Sequence, residues 1–190
     1  SKEGGEAPQK EIKRLTWNLQ ENSRGKQYGW VLRMLGFYSP EAKAIRASTM
    51  LYVAARKQAQ RKEFQLFAGL PQDFTTGFYL ECLHVWMILV RLRKEGKEAS
   101  DIKQDFFDRF WDDIQSQIHQ MGVNPIALSS RIRELQNAFY GCAVAYDFSL
   151  GTSDCMLASA LYRNLYNHNC KATHLNLMTA YVRREVDRLD

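Results

Sequence analysis

The sequence predicts an all-α protein: a single helical bundle of six or seven helices with a central apolar helix near residues 75–95. Three observations carry this. Apolar residues recur at spacings of three and four along most of the chain, the period of a helix face. No stretch alternates over strand length, and neither Asn-Gly nor Asp-Gly occurs as a hairpin turn. Helix punctuation is frequent, with Ser39-Pro40-Glu41 and Asn124-Pro125 each placing a capping side chain before a proline.

Taken in order, Ser1–Gln9 is polar with two glycines and a proline and reads as a flexible tail. Lys10–Gln20 has Ile12, Leu15 and Leu19 on one helical face, and Tyr28–Tyr38 is a short aromatic-rich segment. Residues 1–38 thus form a polar tail and basic arm, and 39–190 the helical domain. The first helix of that domain starts at Ser39, with Ile45, Ser48, Thr49, Tyr52 and Val53 on its expected inner face. Arg56, Lys57, Arg61 and Lys62 load its second half with charge.

After the loop GLPQDFTTG comes the apolar run LHVWMILVRLR, residues 83–93. A transmembrane helix needs about 20 apolar residues. The run from Phe78 to Val90 is 13 residues long and holds Glu81 and His84, so it predicts the buried middle of a bundle. His84 and Met87 lie on one side of one helix. They cannot ligate a haem iron from opposite faces, and His84 is expected to bond a backbone carbonyl or carboxylate. Gly96 stops this helix and Ser100 is expected to cap the next. There Ile102, Phe106, Phe110, Ile114 and Ile118 form a stripe broadened by Phe107, Trp111 and Met121, with Asp105, Asp108, Asp112 and Asp113 largely opposite. Asn124 caps a helix whose inner face is Ile132, Leu135, Phe139, Cys142, Ala143 and Tyr146. Two more follow, Asp154 to about Asn167, and a last one capped by Thr173 and reaching Leu189.

Charge is unevenly spread. Up to Gln65 there are 13 Lys/Arg against 6 Asp/Glu; beyond it, 13 against 15. A basic forepart suits nucleic acid or an acidic surface. Cys82, Cys142, Cys155 and Cys170 have no zinc-ligand spacing and read as free thiols, mostly buried, of a reducing compartment. The chain starts at Ser1 rather than methionine and reads as a fragment or processed product. It contains no G-x-S-x-G, no phosphate-binding glycine loop and no H-E-x-x-H. The aspartate helix has no second acidic cluster facing it to hold magnesium. No catalytic residue, cofactor or metal is expected. An enzyme acting on quinone or isoprenoid substrates rests on that helix alone.

LHVWM at 83–87, MGV at 121–123, FYG at 139–141, AYD at 145–147 and RNLY at 163–166 occur in one order from about Met50 to Asp190. This succession resembles the ubiquinol–cytochrome c chaperone family, with one departure at Ser129 and Ser130, where relatives often carry lysine. The resemblance implies a non-enzymatic assembly chaperone of cytochrome bc1, respiratory complex III. In mitochondria such a protein acts with a small partner near the mitochondrial ribosome's exit. It receives newly made cytochrome b at the matrix side of the inner membrane. Under that reading Arg56, Lys57, Arg61 and Lys62 suit ribosomal RNA or anionic lipid. Tyr28, Trp30, Met34, Phe37 and Tyr38, with Phe64 and Phe67, suit the apolar client or partner. A second expectation is a stable helical structural subunit of a mitochondrial ribosome or respiratory assembly.

Overall fold

A computed structural model of the chain describes residues 39–189. The readings of Lys10–Gln20 and Tyr28–Tyr38 lie outside the described residues. Among those described there are seven α-helices, one 3-10 turn and no strand, so the expected all-α class holds. The helices are α1 (Pro40–Ala59), α2 (Lys62–Phe67), α3 (Phe74–Lys94), α4 (Ser100–Gln120), α5 (Pro125–Leu150), α6 (Asp154–Asn164) and α7 (Ala172–Leu189). The turn Gly96–Ala99 joins α3 to α4. The chain divides into two units, Ser1–Lys43 and Ala44–Asp190. Of the first, the described part opens α1, where Ser39 Oγ accepts from the Ala42 amide at 3.1 Å.

The central helix is α3. Asp73 caps it, accepting from the Thr76 amide at 2.8 Å, and Gly96 leaves it in a left-handed conformation at φ 69°. Twelve of its 21 residues are buried, which is what a helix apolar on all sides requires. Two cores meet on it. Leu80, Leu83, Trp86, Met87 and Val90 pack with Tyr146, Leu157, Leu161, Met178 and Val182. Phe78, Cys82, Val85 and Leu92 pack with Tyr52, Phe106, Phe110, Ile114 and Phe139. The expected stripe of α4 faces inward through Phe106, Phe110, Ile114 and Ile118, whereas Met121 is exposed beyond the helix end.

His84 ties α3 to α7. Its Nδ1 lies 2.7 Å from the Leu80 carbonyl and its Nε2 2.8 Å from Tyr181 Oη. With Nδ1–H donating to the carbonyl, Nε2 accepts the tyrosine proton, and a neutral ring meets both. Burial lowers its pKa to about 4, partly opposed by the Leu80 carbonyl and Glu185. The expected carbonyl bond is present, with a hydroxyl as its second partner.

α1 docks through Ala44, Ser48, Tyr52, Ala55 and Ala59. This corrects the expected face, because Ile45 and Val53 point outward; small residues let the helix lie close while Tyr52 reaches inward. Tyr52 Oη is 2.8 Å from Glu81 Oε1 and 2.7 Å from Asp113 Oδ2. Asp113 also pairs with Arg56 and accepts from Gln117 Nε2 at 2.7 Å. The basic stretch is not one helix: α1 ends at Ala59, Gln65 Nε2 donates to the Ala59 carbonyl, and Lys62 opens α2.

Three other boundaries differ. Ser100 does not cap α4 but is its first residue, because buried Ala99 pins a 3-10 turn that feeds directly into the helix. α6 stops at Asn164, and Thr173 lies inside α7. Arg183 of α7 closes the end of α5, donating to the carbonyls of Leu150 at 2.7 Å and Thr152 at 2.9 Å and to Asp154 at 2.9 Å. After α2 the chain passes His174 so closely that a Cβ on Gly69, at φ 65°, would run into the imidazole. No described helix is long and apolar enough to cross a membrane.

Candidate docking surfaces

A helix apolar on two faces can bury one and leave one. α5 turns Leu135, Phe139, Cys142 and Tyr146 into the cores. Tyr140, Val144 and Phe148 stand one turn apart on its outer side, exposed by 54%, 70% and 64%. This file borders a groove of about 360 Å³ lined by Trp86, Leu89, Phe107, Phe139 and Ala143. One end is closed by an ion pair in which Arg93 donates two hydrogen bonds to Asp147, at 2.8 and 2.6 Å, while Trp86 Nε1 donates a third at 2.7 Å. The Arg93 guanidinium holds the Asp147 carboxyl below its ordinary range. Lys103 lies on the same rim. The groove is apolar, open and edged by cations, which suits another protein's apolar segment better than a small molecule.

A second cleft, of about 810 Å³, opens where the α2–α3 loop meets the middle of α5 and the turn after α6. Its lining is mixed: Asp73, Thr75, Arg163, Asn164, Asn167 and Asn169 supply the polar part, and Leu70, Pro71, Tyr79, Ala138 and Leu165 the apolar part. Cys142 also borders it, its thiol pushed up to about 11 by burial and therefore protonated and unreactive at neutral pH.

Arg56, predicted as an RNA or lipid contact, is half-buried against Asp113. Lys57, Arg61 and Lys62 are exposed. Phe64 is buried in the core, edge-on to His84, because the turn at Gln60–Arg61 points it inward; Phe67 is 50% exposed. Tyr28, Trp30, Met34, Phe37 and Tyr38 lie outside the described residues. Of the four cysteines, Cys82 and Cys142 are buried and Cys155 is exposed. Asp108 and Asp112 point to solvent, Asp113 holds α1, and no group of metal-binding side chains occurs among the described residues. Ser129 and Ser130 are exposed near the start of α5. The outer file of α5 was missed in the sequence. Its signal was present, since Tyr140, Val144 and Phe148 keep the four-residue step on a helix whose other side was already assigned to the core.

The fold places the chain among all-α bundles, with an exposed apolar file on one helix, α5. More particularly, the chain belongs to the ubiquinol–cytochrome c chaperone family, whose model matches residues 67–190. That family is one of assembly chaperones, not enzymes. The chain is 32% identical over 165 residues to the human ubiquinol–cytochrome c reductase complex assembly factor 1, covering 84% of this chain and 55% of the relative. It is 30% identical over 118 residues to the mitochondrial protein CBP3 of Saccharomyces cerevisiae, covering 60% of this chain and 35% of that one. The crystal structure of the Cbp3 homologue from Brucella abortus superposes with a TM-score of 0.71 at 25% identity, covering 82% of this chain and 87% of the other. The chain spans about half the length of the human relative.

Proposed function

We propose that this chain is an assembly chaperone of respiratory complex III that holds newly made cytochrome b on the outer face of α5. A nascent membrane protein shows apolar helices to water before it is inserted, and its holder needs an apolar surface that tolerates varied packing. The exposed file Tyr140, Val144 and Phe148 beside the Trp86–Phe107 groove is the observation that carries this reading. The relatives named as assembly factors of ubiquinol–cytochrome c reductase support it. The chain works in the mitochondrion, peripherally at the matrix side of the inner membrane, with a small partner protein. Lys57, Arg61 and Lys62 place it by charge near ribosomal RNA or anionic lipid. It uses no cofactor.

The test is capture after pulse-labelling of mitochondrial translation. Wild type should recover cytochrome b. A variant carrying Val144→Asp and Phe148→Asp should recover at least tenfold less with little change in melting temperature, because both side chains are mostly exposed. Equal recovery by both, or intact complex III after deletion of the gene, ends the proposal. The basic end of α1 and start of α2 favours a second reading, a permanent subunit of a mitochondrial ribosome or respiratory assembly. Stoichiometric co-purification with mature ribosomes through high salt selects it.

A further inference from the structure

Three features with a local cost to stability converge on the cleft. Gly141 sits in the interior of α5, where glycine costs about 1 kcal/mol relative to alanine. Nothing lies within 4 Å of where its Cβ would stand, so no neighbour requires the glycine. Asn167 and His168 follow one another in the left-handed region, at φ 46° and 63°, which L side chains adopt at a cost. Tyr162 holds them there, its Oη donating to the His168 carbonyl at 2.6 Å and its own carbonyl accepting from the His168 amide at 2.9 Å. Asn164 lines the cleft, and its buried side-chain nitrogen has no hydrogen-bond partner among the described residues. Costs of this kind gathered at one place mark a binding site.

From this geometry we infer that the cleft binds an extended peptide segment of a protein partner, with an acidic side chain set against Arg163. A bare stretch of α5 at Gly141 lets another backbone approach closely. The exposed amides of Asn167 and Asn169 both donate and accept, as the free N–H and C=O groups of an extended chain require. A helix satisfies its own backbone and would leave them unpaired. The charge preference follows because both Asp73 oxygens are engaged by Thr76. Arg163, by contrast, is exposed and donates to the neutral Ser159 hydroxyl at 2.9 Å.

The inference rests on the reading of the chain as a holder of other proteins. The probe is a photo-crosslinking phenylalanine analogue at Asn169 in the full chain, irradiated in mitochondria that express it. The expected result is an adduct mapping to a non-helical stretch with a nearby carboxylate. Gly141→Leu should cut the adduct at least tenfold while raising the melting temperature by about 2–4 °C, as a helix former replacing glycine in open space does. Arg163→Glu should cut it similarly with the melting temperature unchanged. No adduct, an adduct within a helix, an adduct indifferent to both variants, or a melting temperature lowered by Gly141→Leu each overturns the cleft as a peptide site. Loss of the adduct route leaves cytochrome b capture by the α5 face standing. An adduct that meets every expectation on a protein foreign to complex III keeps the cleft and overturns the proposed function instead.

Discussion

Tyr52 has one hydroxyl hydrogen and two carboxyl oxygens within bonding distance, Glu81 Oε1 at 2.8 Å and Asp113 Oδ2 at 2.7 Å. A second proton is needed to complete the chain of bonds. Asp113 is paired with Arg56 and accepts from Gln117. Glu81 is 2% exposed, and burial raises its pKa, opposed by Tyr52, Arg56 and Gln117 and reinforced by Asp113. A proton held on Glu81 would let it donate to Tyr52, which then donates to Asp113. The consequence has a sign. A carboxyl whose folded-state pKa is raised binds its proton more tightly folded than unfolded. Its contribution is full below the ordinary value of 4.5 and is lost as pH rises through the folded value. His84 runs the other way: its pKa is depressed, so its contribution is full above 6.5 and is lost as pH falls through about 4. We expect Glu81→Gln, which keeps the donor and cannot ionise, to melt higher than wild type at pH 8, with the gap closing at pH 4. Calorimetry across that range decides it, and a gap that stays constant with pH would mean the proton sits elsewhere.

At the scale of elements, the end of α1 and the start of α2 separate two uses of positive charge that the sequence cannot distinguish. Arg56 and Lys57 are neighbours in the chain, yet Arg56 finds Asp113, 57 positions away, and Lys57 faces solvent. Reversing Lys57, Arg61 and Lys62 to glutamate should weaken sedimentation with anionic vesicles and flatten its dependence on salt, leaving the melting temperature unchanged. Arg56→Glu should lower the melting temperature, because it places a third carboxylate beside Asp113 and Glu81. The same limit applies to α5. Periodicity finds one apolar face readily, but a helix apolar on two sides offers two, and only packing says which is covered. Capping was easier to read, because Ser39 and Asn124 act on amides three and two residues away. Ser100 failed as a cap for the opposite reason: Ala99, pinned in a core built from distant helices, set where the turn falls.

For the molecule as a whole, helix count and the central place of α3 were legible because both follow from local period and from one run too short to span a bilayer. The second cleft was not, since it joins residues near 73, 141 and 164 that share nothing in sequence except that α5 and α6 bring them together. The cores divide the chain in a way that also bears on its synthesis. One is closed by Leu135 and Phe139 of α5, the other by Met178, Val182 and Val186 of α7, and both are built on α3. A ribosome delivers the chain from its N-terminus, so α3 emerges with both its sides bare and stays half bare until α7 has followed. A chain stopped after Gln120 should yield no protease-resistant fragment, whereas the full chain yields one spanning both cores. A protein proposed to shelter unfinished membrane proteins would thus itself depend on α7, which begins nearly a hundred residues after α3 begins, before it has a finished interior of its own.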